Sequence, residues 1–222
     1  MTVDEPRYIP AARWRVFTRF YDPILAVAMQ ERRFRGLMLE RVGADLPAGG
    51  TAVDVGCGTG TFAIALASAR PDAQVLGVDG DAEILARARG KTGAGAVGWR
   101  EGLAQDVPLA DQSADVVTMS LVLHHLLPED KHRALAEARR LVKPGGRIHI
   151  ADWGPPHDPL MSALFFVSQA IDGFDRTGDH RAGRLPRFVT DAGFDPVTRY
   201  GRFRTAAGSL DLLSGVGVAL SA

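Results

Sequence analysis

The sequence has little to tie it to nucleic acid, to a membrane or to an oxidising compartment. Neither sign of charge is in excess: Lys and Arg number 26, Asp and Glu number 26. With no run of like charge either, a broad phosphate-binding surface is not expected and a nucleic-acid partner is disfavoured. Cys57 is the only cysteine. No disulfide can form within the chain, and a reducing compartment is the simple expectation. Long apolar runs are also missing. The longest, Leu160 to Ile171, is interrupted by Ser162, Ser168 and Gln169 and is too short to span a bilayer, so no membrane insertion is expected. The first residues, with Asp4, Glu5, Pro6 and Arg7, lack the apolar centre of a leader peptide, and a cytoplasmic protein is expected. There is no internal repeat and no low-complexity tail. The 222 residues are enough for one α/β domain with a full core and small additions.

What is present is organised around Ala52-Val53-Asp54-Val55-Gly56-Cys57-Gly58-Thr59-Gly60. A short β-branched run breaks into three glycines at alternate positions, and an apolar helical pattern follows from Phe62 to Ala69. That is strand, tight loop, helix. Glycine lacks a Cβ and tolerates φ > 0, so a ligand can approach bare backbone there, where the free N–H groups of the helix also point. A second acid, Asp79, ends the next strand-like run, Gln74 to Asp79, about 20 residues past the glycines, where a βαβ unit places a carboxylate able to accept both hydroxyls of a ribose. The glycine spacing differs from the G-x-G-x-x-G/A of dinucleotide sites. An acid at Asp54, two residues before the first glycine, would repel a phosphate and suits an ammonium or sulfonium.

With these residues in register, VDVGCGTG followed by VDGD resembles motifs I and II of the class I S-adenosylmethionine (SAM)-dependent methyltransferases, in particular the small-molecule and quinone-biosynthesis type. The resemblance implies a Rossmann-like α/β fold: a seven-stranded sheet in the order 3-2-1-4-5-7-6, the last strand antiparallel, with helices on both faces. It implies SAM as cofactor, held by Asp54, Gly56, Cys57, Gly58 and Gly60 in the loop and by Asp79 and Gly80 after the second strand. In many relatives a later segment reads G-D-A-x-x-L-P, and its aspartate takes the adenine amino group. Here that position is Leu103, which can pack on adenine but accepts nothing. Ala104 carries over through its backbone N–H, and Gln105 or Asp106 is left as an acceptor. Relatives with an FYDP-like segment place an aromatic over the methionine end of SAM, which makes Tyr21 a candidate.

The rest of the chain fits that plan. Residues 1–45 read as an arm and cap helices, with Trp14, Phe17 and Tyr21 on one stripe, a restart at Asp22-Pro23, and a stop at Gly43. Phe34, Leu37 and Met38 read as packing on the sheet. Residues 46–222 form the methyltransferase domain as one structural unit. Helices are expected over Asp81–Arg89, Pro128–Val142, Met161–Ile171 and Pro186–Ala192. Strands are expected over Val97–Glu101, Ser113–Ser120 and Arg147–Ala151, then an antiparallel pair, Pro196–Arg204 and Ser209–Val216. Lys143-Pro144-Gly145-Gly146 should stop a helix, and Asp172–Arg181 reads as a polar loop.

Ligands sit at the carboxyl ends of parallel strands, so Ser120, Leu121, His124 and His125 should face the same crevice as the glycines, with Asp152 and Trp153 beside it. Paired histidines invite a zinc reading, but neither Cys57 nor His132 completes a set of three or four ligands, and no metal site is expected. His124, His125, Asp152 and His180 are candidates for a base, needed only if the acceptor arrives protonated. Trp14, Phe17, Phe20, Trp153, Phe165 and Phe166 could line an aromatic pocket for a small, lipophilic or ring-containing methyl acceptor. They could equally be core. The expected reaction is in-line displacement at the sulfonium, by a monomer or homodimer. The alternatives are a non-catalytic SAM-binding sensor and, less in keeping with Asp54, a nucleotide-cofactor oxidoreductase.

Overall fold

The computed structural model describes residues 30–218. Trp14, Phe17, Phe20, Tyr21 and the Asp22-Pro23 restart lie outside the described residues. Seven strands, β1 (Thr51–Val55), β2 (Gln74–Asp79), β3 (Val97–Glu101), β4 (Ala114–Ser120), β5 (Val142–Trp153), β6 (Phe194–Thr205) and β7 (Gly208–Gly217), form one sheet in the order β3-β2-β1-β4-β5-β7-β6. The first five run parallel, and β7 pairs antiparallel with both β5 and β6. The expected order and the reversed last strand are both present. β1 lies between β2 and β4, with Asp54 opposite Gly77 on one side and Thr118 on the other.

Seven helices are described: α1 (Glu31–Asp45), α2 (Thr61–Ala69), α3 (Ala82–Arg89), α4 (Pro128–Leu141), α5 (Pro159–Asp172), α6 (Phe174–Arg181) and α7 (Leu185–Asp191). Their starts follow from local chemistry. The Asp81 carboxylate caps α3 by accepting from the N–H groups of Glu83 (2.9 Å) and Ile84 (3.1 Å). Asp158 caps α5 by accepting from Met161 (2.9 Å), with Pro159 at the first helical position, where no N–H is needed.

Successive strand residues point to opposite faces, so the sheet has a core on each side. On one side Val53, Val55, Val117 and Met119 meet Leu135 and Ala138 of α4 and Phe188 of α7. On the other, Ala52, Val116 and Ala151 meet Phe34 and Met38 of α1, Phe62 and Leu66 of α2 and Phe165 of α5. Phe34 and Met38 therefore pack as the sequence suggests.

Three expectations are corrected. α1 runs through Gly43 to Asp45. Lys143–Gly146 is the irregular start of β5, where pairing with β4 shifts register between Ala114 and Val116. Lys143 Nζ reaches both oxygens of the Asp115 carboxylate there, at 2.9 and 2.8 Å. The largest difference is the stretch Asp172–Arg181. It is a helical continuation: α5 ends at Asp172, Gly173 turns the chain at φ 100°, and α6 begins at Phe174. Helical spacing carries Thr177 and His180 inward, where both are buried. Buried partners override the polarity that suggested a loop.

Candidate active site

The carboxyl ends of β1, β2, β4 and β5 meet in one crevice. At β1 the glycine loop turns at φ 68° (Gly56), 55° (Gly58) and 70° (Gly60). A Cβ on Gly56 would lie 2.3 Å from Val122 Cγ2, so this glycine lets the β4 loop close on the β1 loop. A Cβ on Gly58 would meet nothing within 4 Å. Gly58 is required by its backbone angle alone, and the space above it is free for a ligand.

Asp79 holds this loop in place. Its Oδ2 accepts from the Gly58 N–H at 2.8 Å and its Oδ1 from the Asp81 N–H at 3.0 Å. Each carboxylate oxygen has a second lone pair, so acceptor capacity for two ribose hydroxyls is left. Beside Asp79 opens a cleft of about 530 Å³ lined by Gly80, Glu101, Gly102, Leu103, Asp106 and Pro108. Ala104 packs its side chain on the core behind it. The free space at Gly58, the remaining capacity of Asp79 and this adjoining cleft fit a nucleoside with an amino-acid arm.

Asp54 is buried under the loop and accepts from Thr118 Oγ1 at 2.7 Å. Burial pushes its carboxyl up to about 6, against the Thr118 hydrogen bond and the charge of Arg35, while Asp79 adds to the rise. Arg35, on α1, pairs with Glu31 at 2.7 Å, and its Nε is buried without a hydrogen-bond partner among the described residues. The sequence reading missed Arg35. Its only signal is a helical offset of one residue from the buried Phe34. Burial, with Asp54 and Asp79 nearby, raises the Cys57 thiol well above its ordinary value, so it stays protonated.

At the other end of the crevice the chain leaves β4 through Leu121, whose φ of 58° is unusual for a branched residue. The Leu121 N–H bonds to the Ala151 carbonyl at 2.8 Å, and the Ser120 hydroxyl is buried without a partner among the described residues. A single 3₁₀ turn, Leu123–His125, then presents the histidine pair. Asp152, at the end of β5, is 1% exposed. It accepts from His124 Nδ1 (2.8 Å), from the Leu123 N–H (2.8 Å) and from the Trp153 N–H (2.8 Å). Burial works to raise its carboxyl, but His124 and His180 and these hydrogen bonds outweigh it and hold it well below the usual range. These contacts favour the ionised form of Asp152, which is buried and orients His124.

His180 is equally buried. Its Nδ1 donates to the Trp153 carbonyl at 2.8 Å, and desolvation lowers its basicity. His125 is exposed, with its ring 3.9 Å from that of His124. Beneath them Lys131 is fully buried, donates to the Arg176 carbonyl and lies 3.6 Å from Asp179. Of the aromatics expected to line a pocket, Trp153 and Phe165 are buried, with ring centres 6.2 Å apart. Phe166 is 58% exposed on the outside of α5. The structure brings the candidates His124, His125, Asp152 and His180 together, and adds Lys131 from the expected helix α4 and Asp172 from the end of α5.

A sheet of this order with a glycine loop and an acid at the next strand end defines a Rossmann-like methyltransferase fold. The chain matches the methyltransferase domain family Methyltransf_11 over residues 53–150. It is 35% identical over 178 residues, 77% of its length and 50% of the relative's, to an uncharacterized 37.1 kDa protein in transposon TN4556 of Streptomyces fradiae. It is 36% identical over 115 residues, 51% of its length and 47% of the relative's, to the demethylmenaquinone methyltransferase of Deinococcus radiodurans. The chain spans about half the length of the curated relatives it matches. Among solved structures it resembles the magnesium protoporphyrin IX methyltransferase (ChlM) from Synechocystis PCC 6803 with bound SAH. The TM-score is 0.69 at 21% identity, covering 90% of this chain and 88% of that one. No helix of the described residues is long and apolar enough to cross a membrane.

Proposed function

We propose that this chain transfers a methyl group from SAM to a small, lipophilic or ring-containing acceptor whose nucleophile is a phenol- or quinol-type group. The observation that carries the reading is the Asp152–His124 pair, 2.8 Å apart, where the turn after β4 meets the end of β5. The match to quinone-biosynthesis methyltransferases supports the acceptor class. Bound SAM supplies a methyl group already activated as a sulfonium.

The chain's own residues bind, orient and exclude water, and orientation of this kind contributes up to roughly 7–11 kcal/mol. Asp79 takes the ribose, and the Gly58 end of the loop faces the amino-acid arm above buried Asp54. Gly80, Leu103 and the Ala104 backbone border adenine, with Gln105 or Asp106 as hydrogen-bond acceptor. Ser120 and Leu121 line the methionine end. His124, its Nδ1 tied to Asp152, keeps Nε2 for the acceptor's nucleophilic atom, and His125 stands beside it.

A labelled-SAM assay of the full chain against phenols, quinols, thiols and amines tests this. Label transfer to a phenol or quinol is expected, and His124→Gln should lower kcat/KM on the order of 10²- to 10⁴-fold while SAM binding stays within about twofold. No S-adenosylhomocysteine formation with any acceptor would overturn the reading.

A further inference from the structure

Three donors converge at the acceptor end of the crevice that no spacing in the sequence brings together. One ligand atom from each of His124, His125 and Asp172 lies within 4.8 Å of the other two. The two imidazoles come from the 3₁₀ turn after β4, and the carboxylate comes from the last residue of α5.

Two further observations suggest that this corner is built for a cation. Asp172 stands at the C-terminus of a 14-residue helix, where the free carbonyls already make the potential negative and an acid is disfavoured unless a positive charge sits beside it. No side-chain hydrogen bond to its carboxylate is formed among the described residues, and the Arg176 guanidinium donates instead to its backbone carbonyl at 3.3 Å. His124, in turn, is held as a metal-binding histidine commonly is: a buried carboxylate takes its Nδ1–H at 2.8 Å, which leaves Nε2 as the free ring nitrogen.

We propose that His124, His125 and Asp172 form a site for a divalent transition-metal ion of the zinc or cobalt type, with its remaining positions open to an oxygen of the methyl acceptor. Two imidazoles and one carboxylate are a donor set that such ions favour over magnesium or calcium. Donors around a tetrahedral ion with bonds of about 2.1 Å stand roughly 3.4 Å apart, so the three groups need to close by little more than a side-chain adjustment. His125 is exposed and Asp172 half-buried, so both are free to make it, while His124 is fixed by Asp152. The inference rests on the acceptor reading above and specifies how His124 acts there, through an ion. An acceptor hydroxyl in an open position would release its proton to solvent more readily than when free.

The test uses the untagged full-length chain, stripped with chelator and titrated with Co²⁺ by visible absorption and with Zn²⁺ by calorimetry. One ion per chain is expected, weakened by about tenfold or more in both Asp172→Asn and His125→Gln. Each variant should keep its SAM affinity within about twofold, which shows that it is folded. No stoichiometric binding to the wild-type chain, or binding that survives in Asp172→Asn, would overturn the proposal. So would full methyl transfer in the stripped protein, which would leave the methyltransferase reading intact. One bound ion with no methyl transfer to any acceptor would uphold the metal site and remove the acceptor reading.

Discussion

The two ends of the crevice hold a buried acid each, and the two acids are in opposite electrostatic condition. At the glycine-loop end Asp54 has one hydroxyl partner, and burial pushes it up to about 6. At the histidine end Asp152 has an imidazole and two backbone N–H groups, and it is held well below the carboxylate range. Depth is the same and the number of donors differs. An under-satisfied carboxylate is poised to receive positive charge from a ligand. A fully satisfied one is structural and acts through what it holds.

The contrast can be broken most forcefully at Asp152. Asp152→Ala leaves His124 Nδ1 and the Leu123 and Trp153 amides unpartnered, and loss of one member of a buried pair should lower stability by about 3–5 kcal/mol in urea denaturation. A loss below about 1 kcal/mol would mean that those bonds contribute little.

Asp54 should respond the other way. Its folded value of about 6 exceeds its ordinary 3.8, so the folded chain binds the extra proton between those values. Its contribution is therefore present below the lower value and lost as pH rises through the upper one, by about 3 kcal/mol at most. Asp54→Asn should raise the urea midpoint of the ligand-free protein at pH 7.5 and leave it unchanged near pH 4. For Asp152 the sign is reversed: its depressed value adds stability above the ordinary carboxylate range, lost as pH falls. Equal pH profiles for the two positions would cancel the comparison.

Next in size, Asp79→Ala should weaken SAM binding by an order of magnitude or more in calorimetry, about 1.4 kcal/mol, because both the ribose acceptor and the tether to Gly58 are removed. Unchanged affinity would refute the ribose role. The smallest effect belongs to Leu103→Asp, which restores an acceptor at the edge of the cleft and should tighten SAM binding by about two- to tenfold. Weaker binding would place adenine elsewhere.

The strand-loop-helix of the glycine end was largely legible in the sequence because its determinants are local. Val53-Asp54-Val55 and the alternate glycines sit within one strand-loop-helix, and Asp79 lies one βα unit on. The sheet order was what the resemblance to methyltransferase motifs implied, and the short β6–β7 connection by itself implied only that this pair is antiparallel. The histidine end is assembled from residues far apart in the chain. Asp172 and His180 meet His124 only because α5 and α6 fold back under the 3₁₀ turn. Their polarity suggested a loop, whereas the i, i+3 spacing of Thr177 and His180, with Lys131 buried opposite, was the helical signal. Trp153 and Phe165 were ambiguous for a related reason: aromatic content cannot distinguish a pocket wall from a core, and both proved to be core.

The tether from Asp79 to the Gly58 amide has a thermodynamic corollary. Since that one acid fastens the hinge before any nucleoside arrives, the entropy of ordering the backbone falls in the folding step and not in the encounter. On the proposed reading a nucleoside would meet a preorganised receptor, whose grip could be retuned at the rim of the cleft without remaking the turn.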